Sequence, residues 1–308
     1  MRGPRDRRPG AAFGPGFVTS SLRGGARLAR LENGSVGYCI AGRVMNDRTV
    51  RALNAINRRF YCDTADAFDA TRADPWPGWT RLLDILAPRE AEAFRAVLDV
   101  GCGNGRFAAT LIDVAKRGAP VHYTGVDSST PLLDRVRARA LPFPVDLHHC
   151  DLVEASLDTL PRGPFSGIAL FAVLHHVPSV ERRRALLSAL GERLTKDGWL
   201  AAASWQFEAF ARFRDRLMPW ETYNQRATVT IDTSQLEPGD HLLPWGDGEA
   251  VRYCHFTNEA DTRALLREAG FEPEQTWAAD GREGNLNRYV LCRFSDAQLR
   301  PKEGEQGR

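Results

Sequence analysis

The sequence of 308 residues lacks any long hydrophobic run. Its longest apolar stretch, roughly residues 167–177, is far shorter than the ~20 residues that a helix needs to cross a bilayer. The chain also opens without an apolar segment followed by a small-residue cleavage site. These absences exclude a membrane-spanning protein, and we expect a cytoplasmic location.

Regularly spaced cysteine pairs are missing as well. The six cysteines are scattered along the chain, at positions 39, 62, 102, 150, 254 and 292. They form no Cys-x-x-Cys pair, and no histidine stands at the spacing of a zinc site, which excludes a disulfide framework or a zinc finger. We therefore predict free thiols in a reducing compartment and no bound metal.

Charge is nearly balanced, at a net +2, but it is unevenly placed. Residues 1–44 carry a net +6 from eight arginines against Asp6 and Glu32, which leaves −4 for residues 45–308. This segment is also rich in glycine and lacks apolar periodicity, so we predict a disordered leader. Three explanations of this segment remain open: an organelle-targeting peptide, a nucleic-acid-binding arm, or untranslated sequence before a true start at Met45. We favour the last, because a helical pattern begins at Met45.

The whole chain is 43% hydrophobic and 26% charged, as in an ordinary globular protein. Short apolar runs alternate with amphipathic helices, with strands expected at 97–100, 122–126, 145–148, 165–171 and 199–205. Two further strands, at 271–276 and 286–294, close the pattern as an antiparallel pair. This alternation predicts a Rossmann-like α/β fold: a seven-stranded, mostly parallel sheet with helices on both faces and an antiparallel last strand.

We expect a single domain over residues 45–294 with four parts. These are N-terminal helices (45–95), a cofactor-binding core (96–205), an insertion over the carboxyl edge of the sheet (206–256), and a closing helix and strands (257–294). Residues 295–308 are expected to be a flexible tail. Ser128, Ser129 and Ser179 are candidate helix caps.

The strongest chemical signal is the turn Asp99-Val100-Gly101-Cys102-Gly103-Asn104-Gly105 after the first core strand. Glycines there let the backbone approach a ligand closely, and the following helix offers unpaired N–H groups. Asp127, at the end of the next strand, is placed to accept hydrogen bonds from ribose hydroxyls. A dinucleotide fingerprint would need a glycine where Arg106 stands, so the pattern favours another nucleotide-containing cofactor.

The Asp-x-Gly-x-Gly-x-Gly turn resembles motif I of the class I S-adenosylmethionine-dependent methyltransferases. The resemblance implies S-adenosyl-L-methionine as cofactor and assigns it a set of contact residues: Asp99, Gly101, Gly103, Gly105, Asp127, Asp151, Leu152 and Phe171. In this set Asp127 would meet the ribose and Asp151 the adenine amino group. Two structural alternatives stay open, because Asp99 could only pin the loop and Asp127 could only cap a helix.

Stretches along residues 60–292 resemble, in order, the tRNA carboxymethyluridine methyltransferases, which esterify the carboxymethyl group of a wobble uridine. They are Phe60-Tyr61, Phe68-Asp69-Ala70-Thr71-Arg72, Pro75-Trp76-Pro77, Ala172-Val173-Leu174-His175-His176, Glu181-Arg182-Arg183-Arg184, Trp205, Leu243-Pro244-Trp245 and Arg252-Tyr253-Cys254-His255-Phe256. In that family activity can depend on a small partner protein. The sequence leaves open whether this chain has such a partner.

The acceptor decides which catalytic residues are needed. A carboxylate is already a nucleophile and needs a cationic clamp, for which the resemblance offers Arg72 and Arg252. A hydroxyl or ring nitrogen would need a general base, and His176, after the fourth strand, is the best-placed candidate. The absence of Asn-Pro-Pro-Tyr and Pro-Cys after that strand argues against methylation of an exocyclic amine or a pyrimidine carbon.

Charge argues against the tRNA interpretation, because phosphate recognition favours a basic protein. An RNA-binding patch would have to be local, and one candidate group is Arg212, Arg214, Arg216 and Arg226, which also fits a solvated helix face. The alternatives are a small-molecule O- or N-methyltransferase and a non-catalytic domain that binds the cofactor or a partner. A non-catalytic domain would be expected to have lost residues of the glycine turn or the acidic residues of the cofactor site, and the sequence retains both.

Overall fold

The computed structural model describes residues 27–30, 36–39, 45–70, 74–246, 248 and 250–295. The chain divides into two compact units between Val44 and Met45. In the first unit, β1 (Arg27–Arg30) and β2 (Val36–Cys39) pair antiparallel, within the segment predicted as a leader. The rest of that segment and residues 296–308 lie outside the described residues, so the disorder predicted for them stays a prediction.

The second unit begins with helices, and the core then alternates strands and helices. The N-terminal helices are α1 (Asp47–Ala70), α2 (Pro77–Leu86) and α3 (Glu90–Ala93). The core elements are β3 (Val97–Val100), α4 (Arg106–Lys116), β4 (Tyr123–Asp127), α5 (Thr130–Arg137), β5 (Val145–His149), β6 (Phe165–Phe171), α6 (Val180–Gly191) and β7 (Leu194–Trp205). The remaining elements are α7 (Ala211–Arg214), α8 (Trp220–Asn224), β8 (Asp240–Trp245), β9 (Ala250–His255), α9 (Glu259–Glu268), β10 (Phe271–Ala279) and β11 (Asn287–Phe294).

Seven strands form one sheet in the order β10-β11-β7-β6-β3-β4-β5. The strands from β7 to β5 are parallel, and β11 runs antiparallel to both β7 and β10. The predicted fold class is therefore confirmed. Strand order reverses between β3 and β6, and ligands of such open sheets bind at the carboxyl ends of the strands beside this switch point.

Several element boundaries differ from the predicted ones. β7 begins at Leu194, before the start predicted for this strand at residue 199, and its register with β6 shifts between Phe165 and Gly167. β10 continues to Ala279, which shortens the loop before β11. The capping prediction was wrong in detail: Ser129 and Ser179 precede their helices, but neither side chain caps, and Ser179 Oγ donates to Glu181 instead.

The insertion contains regular structure that the sequence pattern did not reveal. β8 and β9 pair antiparallel, with Asp240 opposite His255. Leu53 of α1, Leu242 of β8 and Tyr253 of β9 are fully buried in one apolar cluster. The hairpin and α1 are thus packed together, and both contribute walls to the cavity described below. None of the described helices combines the length and apolarity that crossing a membrane requires.

Candidate active site

A cavity of about 820 Å³ opens at the carboxyl ends of β3, β4 and β6. α1 and the β8–β9 hairpin contribute to its walls, as do the end of β7 and the loop between β10 and β11. Its size is that of a typical small-molecule or cofactor pocket. The cavity therefore lies where the topology of the sheet places a ligand site.

The glycine turn forms the floor of one end of this cavity. Gly101 and Gly103 both have positive φ, at 71° and 54°. A Cβ at Gly101 would come 2.4 Å from Val173 Cγ2, whereas one at Gly103 would meet nothing within 4 Å and would project into open space. The turn thus leaves room for a ligand against the backbone at Gly103, as the sequence predicted.

Asp127 closes this turn from β4. Its Oδ2 accepts a hydrogen bond from Gly103 N–H and its Oδ1 one from Ser129 N–H, both at 2.8 Å. Burial raises the pKa of the carboxyl, and the backbone N–H groups oppose that shift. Each carboxylate oxygen has two lone pairs, so Asp127 can hold the loop and still accept from a ribose hydroxyl.

Asp99 lies beneath the turn and is only 3% exposed. Its Oδ2 accepts a hydrogen bond from the Tyr123 hydroxyl at 2.6 Å. Burial raises the pKa of Asp99 to about 7, while the bond from Tyr123 lowers it and the charge of Asp127 raises it. A cationic ligand in the cavity would favour ionisation of this carboxyl.

Asp151 follows β5 at the side of the cavity that faces α1. Its Oδ1 accepts hydrogen bonds from Val153 N–H at 2.9 Å and Glu154 N–H at 3.1 Å. Its Oδ2 accepts one from Asn54 Nδ2 at 2.9 Å. The carboxylate is therefore held in one orientation before any ligand binds.

Arg252, on β9, lies at the other end of the cavity and is 7% exposed. Its guanidinium lies 4.6 Å from the ring centroid of Trp205 and 5.2 Å from that of Phe60. Within the described part of the chain, no carboxylate pairs with it and its Nε has no hydrogen-bond partner. A buried guanidinium held by aromatic rings in this way is suited to a ligand anion.

His176 lies beside this arginine with both ring nitrogens engaged. Its Nδ1 is 3.0 Å from the carbonyl oxygen of Tyr253, which requires Nδ1 to donate. Its Nε2 then accepts from the Tyr61 hydroxyl at 2.8 Å. The neighbouring His175 is buried, and its Nδ1 has no hydrogen-bond partner among the described residues. Burial, together with the charges of His176 and Arg252, lowers its pKa well below the usual value.

The aromatic side chains of Trp76 and Trp79 also line the cavity. Arg106, the first residue of α4, places its guanidinium 5.2 and 5.3 Å from the ring centroids of Trp76 and Trp79. Asp280, in the loop after β10, accepts from Gly78 N–H at 3.0 Å. The start of α2 is thus fastened to both α4 and the β10–β11 hairpin.

Most of the residues predicted from sequence lie together. The cavity is lined by Asp99, Gly101, Gly103, Asp127, Asp151, Leu152, Phe171, His176 and Arg252. Gly105 precedes α4 with a φ of 73° and is not among the lining residues. Arg72 lies outside the described residues. Sequence reasoning missed Asn54 and Asn57, whose spacing with Tyr61 places all three on one face of α1 and could have indicated them.

Two groups of three side chains among the described residues approach metal-ligand spacing. They are His175, His176 and Cys254, and Glu237, Asp240 and His255. A guanidinium lies beside each group. The charge of Arg252 opposes the rise that burial causes in the pKa of Cys254, and Arg183 donates to Glu237 at 2.6 Å. Arg252 disfavours a cation at the first group, Arg183 already pairs with a carboxylate of the second, and we assign a metal to neither.

The lining fits S-adenosylmethionine, which carries a sulfonium and an ammonium charge. The open backbone at Gly103, the two carboxylates of Asp99 and Asp127, and the apolar side chains of Leu152 and Phe171 match a cationic nucleoside. When bound, this cofactor supplies a methyl group on a sulfonium. Asp99 and Asp127 would hold its polar groups.

Comparisons with known proteins agree with this site. A sequence model of the methyltransferase domain matches residues 77–276, well over half of the chain. An uncharacterized methyltransferase of Mycobacterium tuberculosis is 35% identical over 133 residues, which is 42% of this chain and 60% of that protein. A tRNA (carboxymethyluridine(34)-5-O)-methyltransferase of Xenopus tropicalis is 32% identical over 150 residues, 49% of this chain and 21% of that protein.

A solved structure shows the same fold with a cofactor product. The Burkholderia thailandensis 1,6-didemethyltoxoflavin-N1-methyltransferase, with bound substrate and S-adenosylhomocysteine, matches with a TM-score of 0.52 and 18% identity over 90% of this chain and 99% of that chain. The chain spans 60% and 21% of the length of the two curated relatives named above. The chain belongs to the methyltransferase-domain family.

Proposed function

We propose that this chain is an S-adenosylmethionine-dependent methyltransferase that methylates a carboxylate, and that its acceptor is the carboxymethyl group of a tRNA wobble uridine. The single observation that carries the proposal is Arg252, a buried guanidinium that lines the cavity without a carboxylate partner among the described residues. Leaving a charge buried and unpaired is costly unless a ligand pairs with it. A substrate carboxylate would supply that pairing.

In this reaction an oxygen lone pair of the carboxylate attacks the methyl carbon of the sulfonium in line and displaces the thioether. The new bond joins the carboxylate oxygen to the methyl carbon, the methyl–sulfur bond breaks, and its electron pair stays on sulfur. A methyl ester and a neutral thioether result, and no proton moves. The task of the protein is alignment and exclusion of water.

Arg252 would orient the acceptor. A guanidinium binds a carboxylate through two parallel N–H donors, which fixes both the distance and the plane of the acceptor. Its own position is constrained by the rings of Trp205 and Phe60. The aromatic side chains of Tyr61, Trp205, Phe213 and Trp245 line the same end of the cavity and offer surfaces on which a base could stack.

His176 is better suited to positioning than to proton abstraction. Nδ1 donates to the Tyr253 carbonyl and Nε2 accepts from the Tyr61 hydroxyl, so both nitrogens are already engaged. A carboxylate acceptor needs no general base, which agrees with this arrangement. Arg72 stays a predicted second cationic contact.

Two further observations support RNA as the carrier of the carboxylate. The similar Xenopus tropicalis protein is named for methylation of carboxymethyluridine in tRNA. Arg216 lines the cavity, and exposed Arg212, Arg214 and Arg226 lie close to it in sequence. These arginines would give a local positive surface on a unit whose net charge is −4.

That negative net charge favours one competing candidate, a small-molecule methyltransferase. A small carboxylate could enter the same cavity without any phosphate contact. Arg252 would have the same role, so the two candidates differ only in what bears the acceptor.

The test is methyl transfer from labelled S-adenosylmethionine to total tRNA. We expect label on tRNA that mild alkali releases, because a methyl ester hydrolyses whereas an N-methyl or ether methyl group does not. Arg252→Gln should lower the rate by about a hundredfold, as expected for loss of a buried charge contact. Arg48→Gln, on the exposed side of α1, is the matched control.

Three outcomes would contradict the proposal. Alkali-stable label excludes a carboxylate acceptor. Unchanged labelling by Arg252→Gln excludes the clamp. Absence of label on tRNA, with S-adenosylhomocysteine binding intact by calorimetry, favours the small-molecule candidate.

A further inference from the structure

One side chain of α1 makes contact with a predicted cofactor residue without belonging to the methyltransferase core. Asn54 is 6% exposed and lines the cavity. Its Nδ2 donates to Asp151 Oδ2 at 2.9 Å, with Oδ1 at 3.2 Å and Glu154 Oε1 at 3.3 Å. The amide nitrogen therefore lies over three carboxylate oxygens.

The two oxygens of Asp151 differ in their nearest partners, although Asn54 Nδ2 also reaches Oδ1 at 3.2 Å. Oδ1 accepts from two backbone N–H groups of the loop that follows it, so the chain itself fixes this oxygen. Oδ2 is held by Asn54 and by Arg58, whose Nε is 3.9 Å away and whose side chain is 58% exposed. Asn54 is thus the buried contact that determines where Oδ2 points.

We propose that Asn54 is a positioning residue that sets the selectivity of this enzyme for the adenine base of its cofactor. It holds Oδ2 of Asp151 as a hydrogen-bond acceptor for the exocyclic amino group. The inference rests on the adenine contact predicted for Asp151 and is independent of the methyl acceptor.

The chemistry of the pair explains why this arrangement would discriminate between bases. An ionised carboxylate only accepts hydrogen bonds, and a neutral amide donor orients it without supplying a proton. Adenine offers an amino donor at this position, whereas hypoxanthine offers a carbonyl oxygen that would face the carboxylate. A site with a fixed acceptor rejects such an analogue more strongly than a site in which the acceptor can turn away.

The fold of α1 does not depend on this contact. Asn57 Oδ1 accepts from Tyr253 N–H at 2.8 Å, and Leu53 and Phe60 are buried. Replacement of Asn54 should therefore leave the helix in place.

The experiment measures binding, not turnover. Calorimetry with the full chain compares S-adenosylhomocysteine with its hypoxanthine counterpart, S-inosylhomocysteine. In Asn54→Ala we expect affinity for the adenine compound to fall about tenfold and the adenine-to-hypoxanthine ratio to fall by a similar factor. Asn54→Asp keeps the shape but replaces the donor by a second carboxylate, and it should lower the ratio as well. Arg59→Ala, an exposed position on the same helix, should keep the wild-type ratio.

Asp151→Ala separates the two ways in which the inference could fail. If this variant loses selectivity while both Asn54 variants keep the wild-type ratio, Asn54 does not position the acceptor. If Asp151→Ala itself keeps the ratio, the adenine contact assigned to Asp151 is wrong and the inference falls with it. A loss of selectivity in all three variants supports the inference.

Discussion

The carboxyl group of Asp99 combines deep burial with a single strong hydrogen bond, from Tyr123. Burial raises its pKa from 3.8 to about 7, so the carboxyl is largely protonated in the ligand-free enzyme below neutral pH. In the unfolded chain the same group ionises near its ordinary value. The difference links folding stability to pH.

We expect Asp99 to make the ligand-free protein less stable as pH rises from about 4 to about 7. In this range the unfolded chain loses the proton of Asp99 while the folded chain retains it, so unfolding is favoured by up to about 4 kcal/mol. Above pH 7 the folded form ionises too, and this contribution stops changing. Urea unfolding of wild type and Asp99→Asn at pH 5 and pH 8 measures it, and equal pH dependence in both proteins would refute it.

At the scale of elements, the loop after β10 ties the sheet to the N-terminal helices. Asp280, at a φ of 69°, accepts from Gly78 N–H of α2, from Asn287 Nδ2 at 2.7 Å and from the Tyr289 hydroxyl at 2.6 Å. Burial and the charge of Asp280 raise the pKa of Tyr289, which therefore remains a donor. One carboxylate thus holds α2 and both ends of the hairpin.

Asp280→Ala should lower the free energy of unfolding by about 3 kcal/mol, because three donors lose a charged acceptor in a buried place. Asp84→Ala, at an exposed position of α2, should change it by less than about 0.5 kcal/mol. Denaturant unfolding monitored by fluorescence compares them. Equal denaturation midpoints for the two variants would show that Asp280 does not stabilise the fold in this way.

Elements whose signal is local could be predicted, and elements held by distant partners could not. The bounds of β3 and β6 agree with the predicted ones, because buried parallel strands read as continuous apolar runs. The sequence pattern did not predict the β8–β9 hairpin, because the buried polar groups of these strands find their partners across the hairpin. Asp240 Oδ1 lies 2.7 Å from both the Tyr253 hydroxyl and His255 Nδ1.

The same distinction applies to the site. Asp99, Asp127 and Asp151 could be located because the carboxyl ends of parallel strands meet at one edge of the sheet. The spacing of Asn54 and Asn57 could have placed them on one face of α1, but the contacts of that face could not be predicted, since the partners Asp151 and Tyr253 lie 97 and 196 residues further along the chain. No local sequence pattern predicts contacts between residues that are so far apart along the chain.

At the scale of the whole molecule, the distribution of charge does not favour a general attraction to RNA phosphates. Residues 45–308 carry a net −4, so binding of tRNA by this unit must depend on a few local arginines. Each phosphate neutralised by such a group releases counterions, which makes the affinity depend on salt.

If tRNA is the acceptor, its affinity should fall with salt concentration, and the combined variant Arg212→Gln, Arg214→Gln, Arg226→Gln should flatten that dependence. Loss of three phosphate contacts lowers the slope of log affinity against log salt by about 2. Filter binding between 50 and 200 mM KCl, about the range over which such effects are large, measures the slope. A slope unchanged from wild type would exclude these arginines from the RNA surface.

The region shared with the methyltransferase family spans residues 77–276, so α1 precedes it. Yet α1 supplies Asn54, Asn57 and Tyr61 to the cavity. One wall of the active site is therefore built from sequence outside the common domain. Replacement of that wall during evolution could change which molecules the cavity admits while the glycine turn and its acids stay intact, so this helix is where relatives with the same cofactor would diverge in substrate.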